Sequence, residues 1–531
     1  MLLPARPSAW QSTTIPGAAM PMTNKRRLSV LAAAAVAVLA LSACTGQDGS
    51  SGGGDDQGPR TLKLGVSSEL LSYDPVDLNG GGEGNLLWMP VYDRLLTITP
   101  DNGLEPGLAT EWAFDDSFSV LTLELRDGVT FSDGAPFTAE TVKANIENLK
   151  ASSSTEAGIV APIEEVVPVD ENTVEFHLAS YDPTLLYQLG LAAGVMASPE
   201  ALGTEEIKLN PVGSGPYTLD DQGSVRGSEL IYVKNDEHWN SDAYPYETLV
   251  FKTYQDITAR LNAAKSGEVD GAPITSAAAA EAEAAGLTIT NTPAGWLGLG
   301  LFDRAGQIAP ELADVRVRQA INYAFDKQAI LENVEQGYGY ATSQTFAEGQ
   351  PGYDPELDNR YEYDPEKARE LLAEAGYPDG FDLTIPDLPH MAAYTPIIAD
   401  QLKDVGINVT IKPVAPTDTL AEMFGGQNAA FAMEFGGTSI GQITALSTQS
   451  VWNIFKSTDE ELSQLVSVAY KATEEDEQDK TYREVNRWVV DNAWFAPWYM
   501  KDSIFVTSSE VTVEPWVTNV TPLISSFAPA K

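Results

Sequence analysis

The sequence predicts an α/β protein with more than one hydrophobic core. Three observations carry this. Residues 381–411 read strand, helix, strand with short joints, the signature of a βαβ unit. The stretches 121–125 and 174–178 alternate apolar and polar residues with the period of a half-buried strand. The chain has 531 residues, more than one core ordinarily serves, so two or three domains are expected.

Lys25-Arg26-Arg27 precedes an apolar run from Leu28 to Leu41, 14 residues long. A membrane-spanning helix needs about 20, so the run reads as a secretory signal, residues 1–43. Met1 to Pro21 fits no export pattern, and the reading places the true start at Met20 or Met22. Leu41-Ser42-Ala43-Cys44 resembles the bacterial lipobox; the resemblance implies that Cys44, the single cysteine, is lipid-modified and becomes the first mature residue. Residues 44–59 are rich in Gly, Ser, Asp and Gln, the composition of a flexible tether.

The chain carries 32 basic and 76 acidic residues, a formal charge of −44, and loss of the four basic residues before Cys44 takes it to −48. Such a surface repels phosphate backbones, so nucleic acid is not an expected partner. One cysteine gives no disulfide framework, and the three histidines, His177, His238 and His390, lack ligand spacing, so neither a metal nor another cofactor is expected.

The elements follow in order. Thr61–Val66 alternates as a strand, a glycine-rich loop covers 80–84, and Leu86 to Leu96 reads as a buried helix or helix–strand junction. Leu121–Leu125 is expected to be a strand and Val129–Phe131 a second short one after the Asp127-Gly128 turn. Thr138 is placed to cap a helix whose Val142, Ile146 and Leu149 share one face. In Pro211-Val212-Gly213-Ser214-Gly215, Val212 stands where a nucleophile elbow has its first glycine, so Ser214 is not read as a nucleophile. Gly213 and Gly215 are expected to supply unusual backbone angles. Asp314 is placed to cap one helix carrying Val317, Ile321, Phe325 and Leu331. Asp364-Pro365 opens another, which Gly376 ends. Strands at 381–385 and 407–411 flank a helix at 394–405, and the loops after both strands are expected near a binding cleft. The acid-dense stretch 473–480 reads as a solvated helix face. The aromatic residues after Trp488 read as core.

Six stretches, in order, resemble the extracytoplasmic solute-binding proteins of family 5, the dipeptide, oligopeptide and nickel type of ABC importer receptor. They are Leu104–Trp112, Leu125–Gly134, Pro211–Tyr217, Val317–Ala324, Tyr363–Tyr377 and Gln401–Ile407. The resemblance implies a two-lobed periplasmic-binding-protein-like fold, type II, cluster C, with an extra small domain inserted in lobe I. By analogy lobe I takes 60–100, 190–290 and 488–531, the extra domain 101–189, and lobe II 291–487. It implies a monomeric, non-enzymatic receptor, held to the outer face of the cell membrane by its lipid. Such a receptor closes on a peptide or peptide-like ligand and delivers it to ABC permease subunits. The other function weighed is a lipid-anchored extracellular hydrolase, for which no motif selects a catalytic group.

Peptide-binding members carry an aspartate in a Gly-Trp-x-x-Asp-Tyr segment to pair with the ligand amine. The corresponding region, Phe431–Thr438, has neither that aspartate nor the tryptophan, and Glu434 stands as its shifted substitute. The other expected ligand contacts are Tyr73 and Glu83, in loops after the first strand; Trp296 and Phe302, opening the second lobe; and Trp452, after a glycine-rich loop.

Overall fold

The computed structural model of the chain describes residues 60–531; the signal, Cys44 and the tether lie outside the described residues. A nine-stranded sheet runs through the molecule in the order 430–436, 288–301, 495–507, 271–274, 61–66, 248–253, 229–234, 217–219. A short strand, Gly339–Ala341, pairs with 495–507 off this path. The first strand, Thr61–Val66, is parallel to Thr248–Thr253 and Gly271–Ile274. The two long strands, Thr288–Leu301 and Phe495–Thr507, are antiparallel, from Thr288 opposite Thr507 to Gly300 opposite Phe495.

These two strands cross from one core to another. At their Gly300–Phe495 end Trp296, Leu299 and Trp498 join a core with Ile321, Ile385 and Ile398. At their other end Phe505 packs with Leu62, Leu64, Tyr232 and Phe251. The pairing shifts register between Pro293 and Gly295 and between Leu297 and Gly298. Such bulges bend a strand and increase its twist. The architecture is thus a mixed α/β, two-lobed fold. A separate antiparallel sheet, ordered 109–114, 120–125, 173–178, 163–168, holds a third core of Leu121, Leu123 and Phe176 against Val142 and Ile146. Those last two residues belong to helix Ala139–Ala151, which Thr138 and Thr141 close with a reciprocal capping box.

The βαβ unit forms as expected: Phe381–Asp387 and Ile407–Pro413 pair in parallel with Phe381 opposite Ile407, joined through helix Thr395–Asp404. It makes a two-stranded sheet of its own. Asp364 caps helix Pro365–Glu374, and Gly376 follows it at φ +97°. The acid-dense stretch opens the amphipathic helix Glu475–Asp491.

Three expectations need correction. Val129–Phe131 forms no strand; Thr130 makes one isolated bridge to Pro136, because the turn closes after a single pair. The helix from Asp314 is two helices, Val315–Tyr323 and Lys327–Glu335, since the Asp326 carboxylate accepts the Ala329 N–H and starts a new cap. Gly213 and Gly215 have no left-handed backbone angles. They are small because the chain passes against Val91, whose carbonyl oxygen would lie 2.0 Å from a Cβ at Gly213. Most of the aromatic C-terminal stretch is core, as expected, and it serves several cores: Trp488 and Trp494 pack with Leu462 and Val485, Trp498 and Tyr499 with Trp296, and Trp516 with Leu62.

Gly213→Ala is expected to cost about 1–3 kcal/mol through overpacking, lowering the first transition in thermal unfolding. Gly81→Ala, where an added Cβ meets nothing within 4 Å, should leave that transition unmoved. Equal shifts for the two variants would refute the close-approach account.

Candidate functional site

A cleft of about 610 Å³ opens where the long strands bulge. Its floor is Ala294, between the register-shifted Pro293 and Gly295, beside Thr518, Asn519 and Val520 of the C-terminal segment. One wall is the glycine loop 80–82, with Leu191 and the Thr184–Gln188 turn. The opposite wall is the end of strand Ala430–Gly436, carrying Glu434, Gly437 and Thr438, together with His390 and Met391 from the turn after the first βαβ strand. The loop after the second βαβ strand, 412–417, does not line it.

Glycine shapes both walls for two reasons. Gly82 and Gly437 sit at φ +78° and +102°, where other residues are strained. Gly436 passes so near the opposing strand that a Cβ would lie 2.4 Å from the Ala294 carbonyl oxygen.

Hydrogen bonds fix the floor to the walls. Asn102 Nδ2 donates to the Val517 carbonyl and to Thr518 Oγ1, each at 3.0 Å. Its Oδ1 accepts from Tyr187 Oη at 2.9 Å and Trp516 Nε1 at 2.8 Å. Gln442 does the same on the other wall: its Nε2 donates to the Gly436 carbonyl at 3.0 Å and its Oε1 accepts from buried Trp296 Nε1 at 3.1 Å.

Glu434 is the carboxylate of the cleft. Lys501 Nζ donates to its Oε2 at 3.1 Å, and both side chains are about one-third exposed, 33% and 32%. Beneath lies a buried polar chain. Tyr499 Oη donates to Tyr394 Oη at 2.9 Å, Tyr394 to Glu335 Oε1 at 2.9 Å, and Ser276 Oγ to Glu335 Oε2 at 2.8 Å. Burial, reinforced by Glu335 and Glu434, pushes the Tyr394 and Tyr499 phenols far above their ordinary range, so both remain proton donors.

Of the six residues expected at the site, Glu434 alone lines the cleft. Tyr73 is fully buried, its Oη 2.6 Å from Tyr232 Oη, and burial pushes its pKa up to about 12. Glu83 turns inward from the glycine loop, accepting the Ser67 N–H at 2.6 Å and pairing with Arg260 at 3.3 Å. Trp296 and Phe302 are core, the latter stacked on Phe431 with ring centroids 4.4 Å apart. Trp452 packs between Phe424 and Phe435. For Tyr73, Trp296 and Phe302 the physical reason is common: large apolar area gains most from complete removal from water. Trp452 is only partly buried, packed against the core that holds Trp296 and Trp498. Sequence reasoning missed Asn102, Tyr187 and Gln188. The one available sign was the Asp101-Asn102-Gly103 turn, which puts Asn102 in the left-handed region at φ 69°.

Ser214 gives no nucleophile. Ser214 Oγ and Trp239 Nε1 donate to Asp93 Oδ2, at 2.9 and 3.1 Å, and His238 Nε2 lies 3.1 Å from Oδ1. Asn240 N–H donates to His238 Nδ1, so the imidazole proton sits on Nε2 and points at Asp93. Serine and histidine thus share one acceptor rather than forming a serine–base chain. Among the described residues no group of three or more His, Cys, Asp or Glu is placed to hold a metal ion.

Residues 103–458 match the family model described as bacterial extracellular solute-binding proteins, family 5 Middle. The dipeptide-binding protein of Escherichia coli (strain K12) is 30% identical over 353 residues, 61% of this chain and 65% of that protein's length. HbpA2 from Haemophilus parasuis superposes with a TM-score of 0.78 at 22% identity, covering 89% of this chain and all of that one. DppA from Helicobacter pylori in complex with the peptide STSA gives 0.70 at 20% identity, over 89% of this chain and 98% of that one.

Gln442→Ala leaves the Trp296 indole N–H buried without its acceptor. A loss of about 1–3 kcal/mol is expected, with faster amide hydrogen exchange across 436–441. Unchanged exchange there would show that Gln442 does not hold this wall.

Proposed function

The chain belongs to the bacterial extracellular solute-binding proteins, family 5, and from that premise we propose that it is the substrate-binding receptor of an ABC importer, taking a peptide or peptide-like ligand between its lobes and passing it unaltered to membrane permease subunits. The cleft at the bulged strand crossing carries this reading: about 610 Å³, walled by two glycine-bearing segments and carrying one carboxylate, Glu434. That volume falls within the range of small-ligand sites. Glu434 pairs with the ligand's amine through a charge-assisted hydrogen bond. The peptides named for the Escherichia coli and Helicobacter pylori proteins support the ligand class.

Closure follows from the same geometry. Two lobes joined by a bent strand pair change their angle at the bulges, and a ligand favours the closed form only through contacts absent from the open one. Ligand-induced compaction in small-angle scattering, with the ligand recovered intact, is the expected outcome. An unchanged envelope with turnover of the ligand would favour a lipid-anchored hydrolase instead. Glu434→Gln should weaken peptide binding in calorimetry by about 10- to 100-fold, the worth of one hydrogen bond to a charged group. Unaltered affinity would remove Glu434 from the site.

Around this core reading stand a signal at 1–43, a lipid on Cys44, a tether at 44–59 and a monomeric state. Residues 101–189, which contain the separate four-stranded sheet, form the extra domain. Cys44→Ala should move the protein from the membrane fraction to the soluble one. Retention in the membrane would refute the anchor.

A further inference from the structure

Taking the cleft to be the ligand site, its distribution of charge specifies the ends of the ligand. Glu434 is its one carboxylate and His390 its one histidine, and among the described residues no lysine or arginine lines it. The cations just behind the walls are committed. Lys501 holds Glu434 Oε2 at 3.1 Å, and Arg260, with a side chain 7% exposed, holds Glu83 at 3.3 Å beside the glycine loop. Neutral hydrogen-bonding groups supply the rest of the polar lining: Thr184, Tyr187 and Gln188 on one wall, Thr438 on the other, Thr518 and Asn519 on the floor. The bare backbone of Gly81 and Gly82 lies open, since an added Cβ at either meets nothing within 4 Å.

A free carboxylate enclosed here would be desolvated with no lysine or arginine of its own, an expensive state. Taking Lys501 from Glu434 would leave two carboxylates sharing one ammonium, with the same imbalance. A chain of formal charge −44 adds a field that repels an anionic ligand before it arrives. An amine also leaves two like charges on one partner, but the chain's formal charge of −44 offsets a surplus cation where it would aggravate a surplus anion, and Lys501 bonds Glu434 only through Oε2, so Oε1 remains to accept.

We propose that the ligand is an amine with a neutral polar body and no free carboxylate, recognised at one charged end by Glu434 and elsewhere through uncharged hydrogen bonds, an amidated peptide being the simplest member of the class. The body lies along the glycine loop, where amide and hydroxyl groups meet exposed backbone and the side chains of Thr184 and Gln188. Selectivity against ordinary free-acid peptides then comes from what the walls lack.

The test is calorimetry on the purified chain with three probes: trialanine amide, free-acid trialanine and N-acetyl-trialanine amide. The amide should bind at least tenfold tighter than the free acid, and N-acetylation should cost at least tenfold. Gln188→Arg, which adds a cation to the wall, should close the gap between acid and amide by tenfold or more. Free acid binding as tightly as amide, or a gap that Gln188→Arg leaves untouched, overturns this inference while leaving the peptide receptor intact. Failure of all three probes to bind at millimolar concentration overturns the peptide reading itself, and this inference with it.

Discussion

The pairing of Thr288–Leu301 with Phe495–Thr507 is the constraint from which the rest of the molecule follows. A single pair of hydrogen-bonded strands enters two cores, ending among Trp296, Leu299 and Trp498 on one side and beside Phe505 on the other. Backbone hydrogen bonds resist stretching and shear along the strands but resist bending much less. The register shifts at Pro293/Gly295 and Leu297/Gly298 concentrate that bending at one level. The cleft lies at the same level because Ala294 sits inside the first bulge.

Around this hinge the protein separates rigid parts from adaptable ones. The walls are held from behind by buried polar groups with defined partners: Asn102 tying Tyr187 to Trp516 and Thr518, Gln442 tying Trp296 to Gly436. Such groups specify a geometry because leaving any one of them unpaired in a dry interior is costly. Part of the surface they support is bare. Glycine at 81, 82 and 437 presents backbone rather than side chain, so some of the cleft's shape is set from behind it, by Asn102, Gln442, Trp296 and Trp516.

That division explains what could be read from the sequence. The βαβ unit, the capped helices at Thr138 and Asp364 and the alternating strands were legible because their signals are local: a periodicity, a cap, a glycine stop. Glu434 was reachable because its segment aligned with a family motif. Asn102 was not, since it meets Thr518 and Trp516 across 416 and 414 residues of chain and Tyr187 across 85, and no periodicity records such contacts; nor does any local pattern mark Gln188. Tyr73, Trp296 and Phe302 misled in a regular way: an aromatic suits a binding surface and a core equally by type, and burial decided for the core; Trp452, partly buried, packs on Phe424 and Phe435 instead of lining the cleft. Gly213 and Gly215 misled differently, since a glycine signals either a rare backbone angle or a close neighbour, and only the position of Val91 separates the two.

The order of the strands also sets a timetable for assembly. Leu62 and Leu64, among the first described residues, share a core with Phe505, Trp516 and Phe527, among the last. On a ribosome that makes the chain from its N-terminus, the first core waits for nearly the whole polypeptide. Until then its greasy face has no lid, a long-range closure of the kind that slows folding and invites aggregation. For a protein bound for the outside of the cell the delay is useful, since a chain that cannot finish folding early remains threadable.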